Sequence, residues 1–370
     1  MIRTLLARVG LVAAAGCAAT LISAAPAAAH GADAPDATDY RTRTAGVAPA
    51  RPGLEVRVVE AGARLELTNR TGRAIEVIGY SGEPYLRVGP DGVFENSRSP
   101  AAYLNRTIAG DTALPAEADP AAPPSWRRVA DGTTVRWHDQ RALWQEPAPP
   151  AAVRAAPERE HRVRDWTVPL RDGTDPVAIV GTLDWVPPPD GYTWWAVSIV
   201  GLLAVGALGL VAAASPAGAR ALSALGALLV VGGAVAVGYP VGREVDAGAQ
   251  GVGGVLAGLL SGQIWPLLTG LGAIAAGWYA LSRRPAADFA VALAGACLAL
   301  FGGVANAAVF ARSIAPVPWS PGVARVMVAL VLITGIGATA AGILRLHAAS
   351  RAAATAPRVD AARRGSTAAG

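Results

Sequence analysis

Lysine is absent from the 370 residues, cysteine and methionine occur twice each, and histidine occurs four times. Charged residues make up 16% of the chain, against roughly 25% in an average soluble domain. The shortage is uneven. From Trp194 onward only four acids and eleven arginines punctuate long apolar runs. That distribution excludes an ordinary soluble enzyme and a disordered chain, and it indicates a multispan membrane protein with an appended domain.

Each absence removes a class of chemistry. Cys17 lies in the N-terminal apolar run and Cys297 in a later one. Residues 30–190 therefore hold no disulfide, no CxxC redox pair and no thiolate metal site. Met1 and Met327 are the only thioethers, which excludes a methionine-based Cu(I) site. No GxSxG elbow, HExxH helix or P-loop occurs, so no catalysis is expected. The apolar runs hold only Asn306 and Gln263 as interior polar groups, with Asp288, Arg325 and His347 at their ends. A pump or secondary transporter needs buried ionisable residues and usually repeated, broken helices; neither is visible. Asp33, Asp36 and Asp39 lack the glycine and distal glutamate of a calcium loop.

What is present starts with a leader. Arg3 and Arg8 precede an apolar run that ends in Ala27-Ala28-Ala29, the pattern of a signal peptide over 1–29. Cleavage there makes His30 the mature N-terminus. Competing readings are an uncleaved helix and a lipoprotein site at Ala14-Ala15-Gly16-Cys17, where alanine stands three before the cysteine instead of leucine.

Residues 30–190 read as an all-β domain. LEVRVVE, ARLELTN and AIEVIGY alternate apolar and polar residues with period two, and turn signals such as Ala61-Gly62 and Thr71-Gly72 separate them. Asp131-Gly132 between WRRVA and TTVRWHD predicts a hairpin, as does Arg171-Asp172-Gly173 between HRVRDWTVPL and DPVAIVGTLDWV. The spacing suggests an immunoglobulin-like β-sandwich, with proline-rich stretches on either side of 126–145 as surface excursions. Trp126, Trp137, Trp166 and Trp185 recur on strands; core packing is the simpler account, a carbohydrate-binding platform the other. Glu83 reads as a charged turn residue.

Residues 191–346 read as a membrane domain. A helix needs about 20 apolar residues to cross the hydrocarbon core, and five spans fit: 194–214, 221–241, 264–281, 289–310 and 323–344. The stretch 251–263 is either a glycine-rich lead-in or a re-entrant segment. Glycine pairs such as GLLSG and GLG favour close helix packing and a helix-mediated homo-oligomer or another membrane partner. Arg220, Arg283, Arg284, Arg345 and the basic tail over 347–370 fall on one side, which the positive-inside rule makes cytoplasmic. The β domain is then extracellular, with Arg243 and Arg312 in outer loops. The net charge of +5 sits at these borders and gives no nucleic-acid footprint.

The remaining chemistry rests on histidine. An N-terminal His30 offers its α-amine and ring nitrogen in one chelate; His138 and Asp139 add an imidazole and a carboxylate, a donor set that suits Cu(II). His161 and His347 read as solvated. The leader, the β domain and the appended spans together resemble the CopC-type copper proteins and the CopC–CopD fusions. That resemblance implies a Cu(II) site at His30, His138 and Asp139. The domain here is longer than a CopC module, and no span holds a histidine to pass metal inward. ELTNRTGRAIEVIGYSGEPYLRVGP and TVRWHD are similar to uncharacterised secreted multipass membrane proteins of actinobacteria. Two functions are thus expected to compete: binding or scaffolding of an extracellular partner by the β domain, or Cu(II) handling at the cell surface.

Overall fold

The computed structural model describes residues 35–355. The leader, His30 and the tail beyond 355 lie outside the described residues. The first half of the described chain is β and the second half helical.

Ten strands form two antiparallel sheets: β1 (Tyr40–Ala48), β2 (Leu54–Val59), β3 (Arg64–Asn69), β4 (Ile75–Ile78), β5 (Pro84–Gly89), β6 (Gly92–Asn96), β7 (Trp126–Ala130), β8 (Thr134–Trp137), β9 (His161–Asp172) and β10 (Asp175–Trp185). One sheet runs β1-β10-β9-β4-β5-β6-β7, the other β2-β3-β8. The two share one core, to which Leu65 and Leu67 of the small sheet and Ile75, Val88, Val168 and Ile179 of the large one contribute. Full burial of such a side chain contributes about 1.5–3 kcal/mol, so the domain is stabilised without a disulfide.

Period-two patterning explains β9 and β10 directly. Trp166, Val168 and Leu170 face inward from β9, and Val177, Ile179 and Leu183 from β10. Gly181 pairs with Trp166, and a Cβ there would lie 2.2 Å from the indole; glycine makes room for the ring. The β9–β10 hairpin forms where expected, with Gly173 at φ 63°. The expected β7–β8 hairpin does not. β7 pairs with β6 and β8 with β3, so the chain crosses between sheets at Asp131-Gly132. The Asp131-Gly132 signal predicts a hairpin that is not made, because strand pairing is decided by which apolar faces must be covered. Trp137, Trp166 and Trp185 are buried, which settles them as packing residues, while Trp126 is half-buried beneath Arg87.

Two short helices, α1 (Ala101–Leu104) and α2 (Ala151–Ala155), belong to the β domain; the helical half holds α3 (Gly191–Ala207), α4 (Pro216–Asp246), α5 (Gly251–Gly262), α6 (Ile264–Leu281), α7 (Ala287–Cys297) and α8 (Pro321–Thr355). α3 continues as a 3-10 turn to Leu210, and α7 through a π-turn (Leu298–Gly303) and a 3-10 segment (Val304–Phe310). Five of these units are long and apolar enough to cross a membrane: the protein is a multi-pass membrane protein. Asp190 caps α3 through the Tyr192 and Thr193 amides; Ser215 caps α4, with Pro216 in its first turn. α4 runs to Asp246, well past 241, so Arg243 lies inside a helix rather than in a loop.

Candidate functional site

A group of buried polar side chains gathers where the β domain meets the ends of the helices. Asp39, just before β1, is buried. It accepts from Arg312 at 2.6 Å and from the Ser313 amide at 2.9 Å. Thr38 and Ile314 exchange backbone hydrogen bonds of 3.0 and 2.8 Å, which pins the 311–320 loop to the β domain. On the other flank Arg136 of β8 donates to Glu66 and to the Gly248 carbonyl, both at 2.6 Å. From α4, Asp246 accepts the Ala61 amide at 2.8 Å and Arg243 donates to the Pro35 carbonyl at 2.9 Å.

Glu60 and Ala61, between β2 and β3, both occupy left-handed backbone, at φ 56° and 53°. Non-glycine residues hold this conformation at a cost of order 1–3 kcal/mol each, and Asp246 on the Ala61 amide fixes it. Glu60 is buried; its Oε1 takes Arg64 at 3.3 Å, while Oε2 has no hydrogen-bond partner among the described residues. Burial pushes its carboxyl above the usual range, with Asp246 adding to the rise and Arg64, Arg136 and Arg243 opposing it. Glu66 behaves oppositely: burial raises it, but hydrogen bonds from Arg57 and Arg136 outweigh that and hold it low.

A cavity of about 140 Å³ opens beside Glu60, with Pro35, Asp36, Tyr40, Trp144 and Leu183 among its walls. Tyr40 stacks on Trp144, centroids 5.9 Å apart at 17°. Within the helices lies a much smaller void of about 10 Å³, room for one water, lined by Tyr239, Arg243, Gln263 and Asn306. All four are buried, and the Tyr239 hydroxyl is unpartnered. The irregular turn at Leu298–Gly303 stands at this level.

The histidine set is only partly assembled. His138 is buried. Its Nδ1 meets the Ala63 carbonyl at 2.8 Å, so that nitrogen carries the proton, and its Nε2 accepts from Arg64 at 3.1 Å. Asp139, next in the chain, turns to other partners: Arg141 holds both oxygens at 2.8 Å and Trp137 donates its indole at 2.9 Å. His30 lies outside the described residues. Among the described residues no group of three or more His, Cys, Asp or Glu side chains could hold a metal. A Cu(II) ion at His138 would have to replace Arg64 on Nε2. His161 bonds the Ala156 carbonyl and His347 is exposed.

The sequence marks Glu60 in no functional role, and Asp39 only as an acid that fails the calcium-loop pattern. Glu60 is in phase with Leu54, Val56 and Val58 of β2, so the alternation itself sets a carboxylate on the apolar face; that was the available signal. Asp39 carries no local signal, because its partners lie more than 270 residues away. Glu83 is no exposed turn residue: it is buried, accepting from the Ser81 amide and the Ser99 hydroxyl. Compared with protein-family models, curated proteins and solved structures, the chain matches none of them.

Proposed function

We propose that this is a cell-surface protein whose β domain faces the outside, binds or scaffolds an extracellular partner, and is held in a fixed attitude by the helices. The observation that carries this reading is the way the two halves join. Buried polar ties from two inter-helix loops and the end of α4 fix the β domain at separate points, which suits presentation of a surface better than a flexible tether does. Orientation is supported by charge. Arg220, Arg283, Arg284 and Arg351 cluster at the helix ends remote from the β domain, where Arg345 pairs with Asp288 at 2.6 Å, and arginine accumulates on the cytoplasmic side. The C-terminus is then cytoplasmic and a cleaved leader exports the β domain.

The test uses whole cells. A cysteine placed at Thr174 should react with an impermeant maleimide and one at Ser350 should not; the reverse pattern overturns the orientation. Photo-crosslinkers at exposed β-domain positions such as Val129 and Arg159 should capture a discrete partner that a crosslinker at Arg284 does not. Absence of any adduct from the β positions overturns the binding reading.

A second reading, Cu(II) capture, is favoured by one observation. Pro35 and Ala63 line the same cavity, and the Ala63 carbonyl holds His138. Pro35 lies five positions after His30, a reach of at most about 18 Å. Copper titration of the processed full chain by EPR should show nitrogen hyperfine that disappears when one residue is added before His30. An unchanged spectrum overturns this reading.

A further inference from the structure

We propose that the cavity beside Glu60 binds a small organic cation, an alkylammonium or alkylguanidinium group, on a carboxylate with an aromatic wall. This deepens the reading of the β domain as a binding domain and rests on it. The walls combine three features that such a ligand needs together: the carboxylates of Glu60 and Asp36, the stacked Tyr40–Trp144 pair, and apolar Leu183. Carboxylates beside an aromatic face recognise a cation with carbon attached. They repel an anion, and a neutral hydrocarbon leaves the buried carboxylate uncompensated. The described residues supply too few ligands to favour a bare metal ion. A cavity of about 150 Å³ accommodates benzene, so the 140 Å³ here suits a group of four to six heavy atoms.

The cations already near Glu60 are committed elsewhere or reach only one oxygen. Arg64 holds Oε1, Arg136 is shared by Glu66 and Gly248, and Arg243 is turned to the Pro35 carbonyl. Asp246, the other acid packed against this turn, is occupied by the Ala61 amide. Among the described residues Oε2 is left without a partner. The left-handed Glu60-Ala61 backbone keeps it so, since relaxing the turn would release the Asp246 contact. A bound cation favours the ionised carboxylate, and its affinity should therefore rise with pH.

The experiment is calorimetry on the purified full chain in detergent, with n-butylammonium, tetramethylammonium and ethylguanidinium as probes and n-butanol and butyrate as controls. One or more cations should bind one-to-one and saturably while both controls give no heat. Glu60→Gln should weaken binding about tenfold or more, the worth of a hydrogen bond to a charged group. Asp36→Asn, at an exposed position, should weaken it less. Trp144→Leu should weaken tetramethylammonium most, because that ion has no N–H to donate to a carboxylate and depends most on the ring face. Melting curves of each variant show that it is folded. The proposal is overturned by cations that give no saturable heat up to about 10 mM, by butanol binding as well as butylammonium, or by a folded Glu60→Gln variant that binds unchanged. Any of these, with β-domain crosslinks intact, removes this site and leaves the partner reading standing.

Discussion

Asp39 and Arg312 stand 273 positions apart in the chain and meet at 2.6 Å, and the same carboxylate takes the amide of Ser313. Asp39 is almost wholly buried while the Arg312 side chain is half exposed. The pair itself is therefore screened, and the bonds from the Ser313 amide and from the Ser313 hydroxyl, at 3.1 Å, carry more of the stabilisation. Asp39→Ala strips both oxygens at once and leaves the Ser313 amide without its acceptor. It is expected to cost about 2 kcal/mol, concentrated at the junction. Hydrogen exchange should show Ser313 and Ile314 opening faster, with β9 and β10 unchanged. Uniform loosening of the whole chain would contradict a local role for this tie.

Glu60 gives a pH dependence of defined sign. Its carboxyl lies above the ordinary glutamate range when folded, chiefly through burial. The folded state thus holds its proton to higher pH than the unfolded chain does. This residue favours folding most below the ordinary glutamate pKa, and that contribution is lost as pH rises through the folded value. Glu60→Gln should therefore melt with the parent near pH 4 and above it by about 2 °C near pH 8. A gap that is widest in acid would contradict the assignment.

How much of this was legible beforehand follows the range of each interaction. Hydropathy is additive over about 20 residues, so the spans could be found by reading the chain. Alternation is local as well, and it marks β2, β3 and β4, while a turn signal marks the β9–β10 hairpin. Pairing is not local: the Asp131-Gly132 signal looks the same whether its two strands join each other or belong to separate sheets. Arg243 was misplaced because GREVD has the composition of a loop, although α4 carries it past the apolar stretch to meet the β domain. His138 and Asp139 read as copper ligands from their adjacency in sequence, but adjacency says nothing of partners, and theirs include Arg64 and Arg141.

His138 joins the Ala63 carbonyl to the Arg64 guanidinium. A leucine fills much of the same space but offers neither group a partner. His138→Leu is expected to destabilise by about 1–3 kcal/mol, whereas His138→Asn, which can donate and accept, should recover part of that. Denaturant unfolding of the full chain distinguishes them. Equal losses would mean that ring volume, not hydrogen bonding, is what the site requires.

The bundle depends on backbone approach between α4 and α6. A Cβ on Gly233 would lie 2.6 Å from the Gly270 carbonyl oxygen, and one on Gly277 would lie 2.5 Å from that of Gly226. The two crossings are seven residues apart on each helix, so one face of each carries both. Neither carbonyl can retreat, because each belongs to its own helix. Gly277→Leu must therefore push the helices apart, at about 1–3 kcal/mol for overpacking, and Gly226→Leu should do the same. At Gly272, where a Cβ meets nothing within 4 Å, alanine should be harmless or slightly stabilising. Melting temperatures in one detergent give the comparison. If Gly272→Ala proves as damaging as Gly277→Leu, close packing between α4 and α6 is not what these glycines serve.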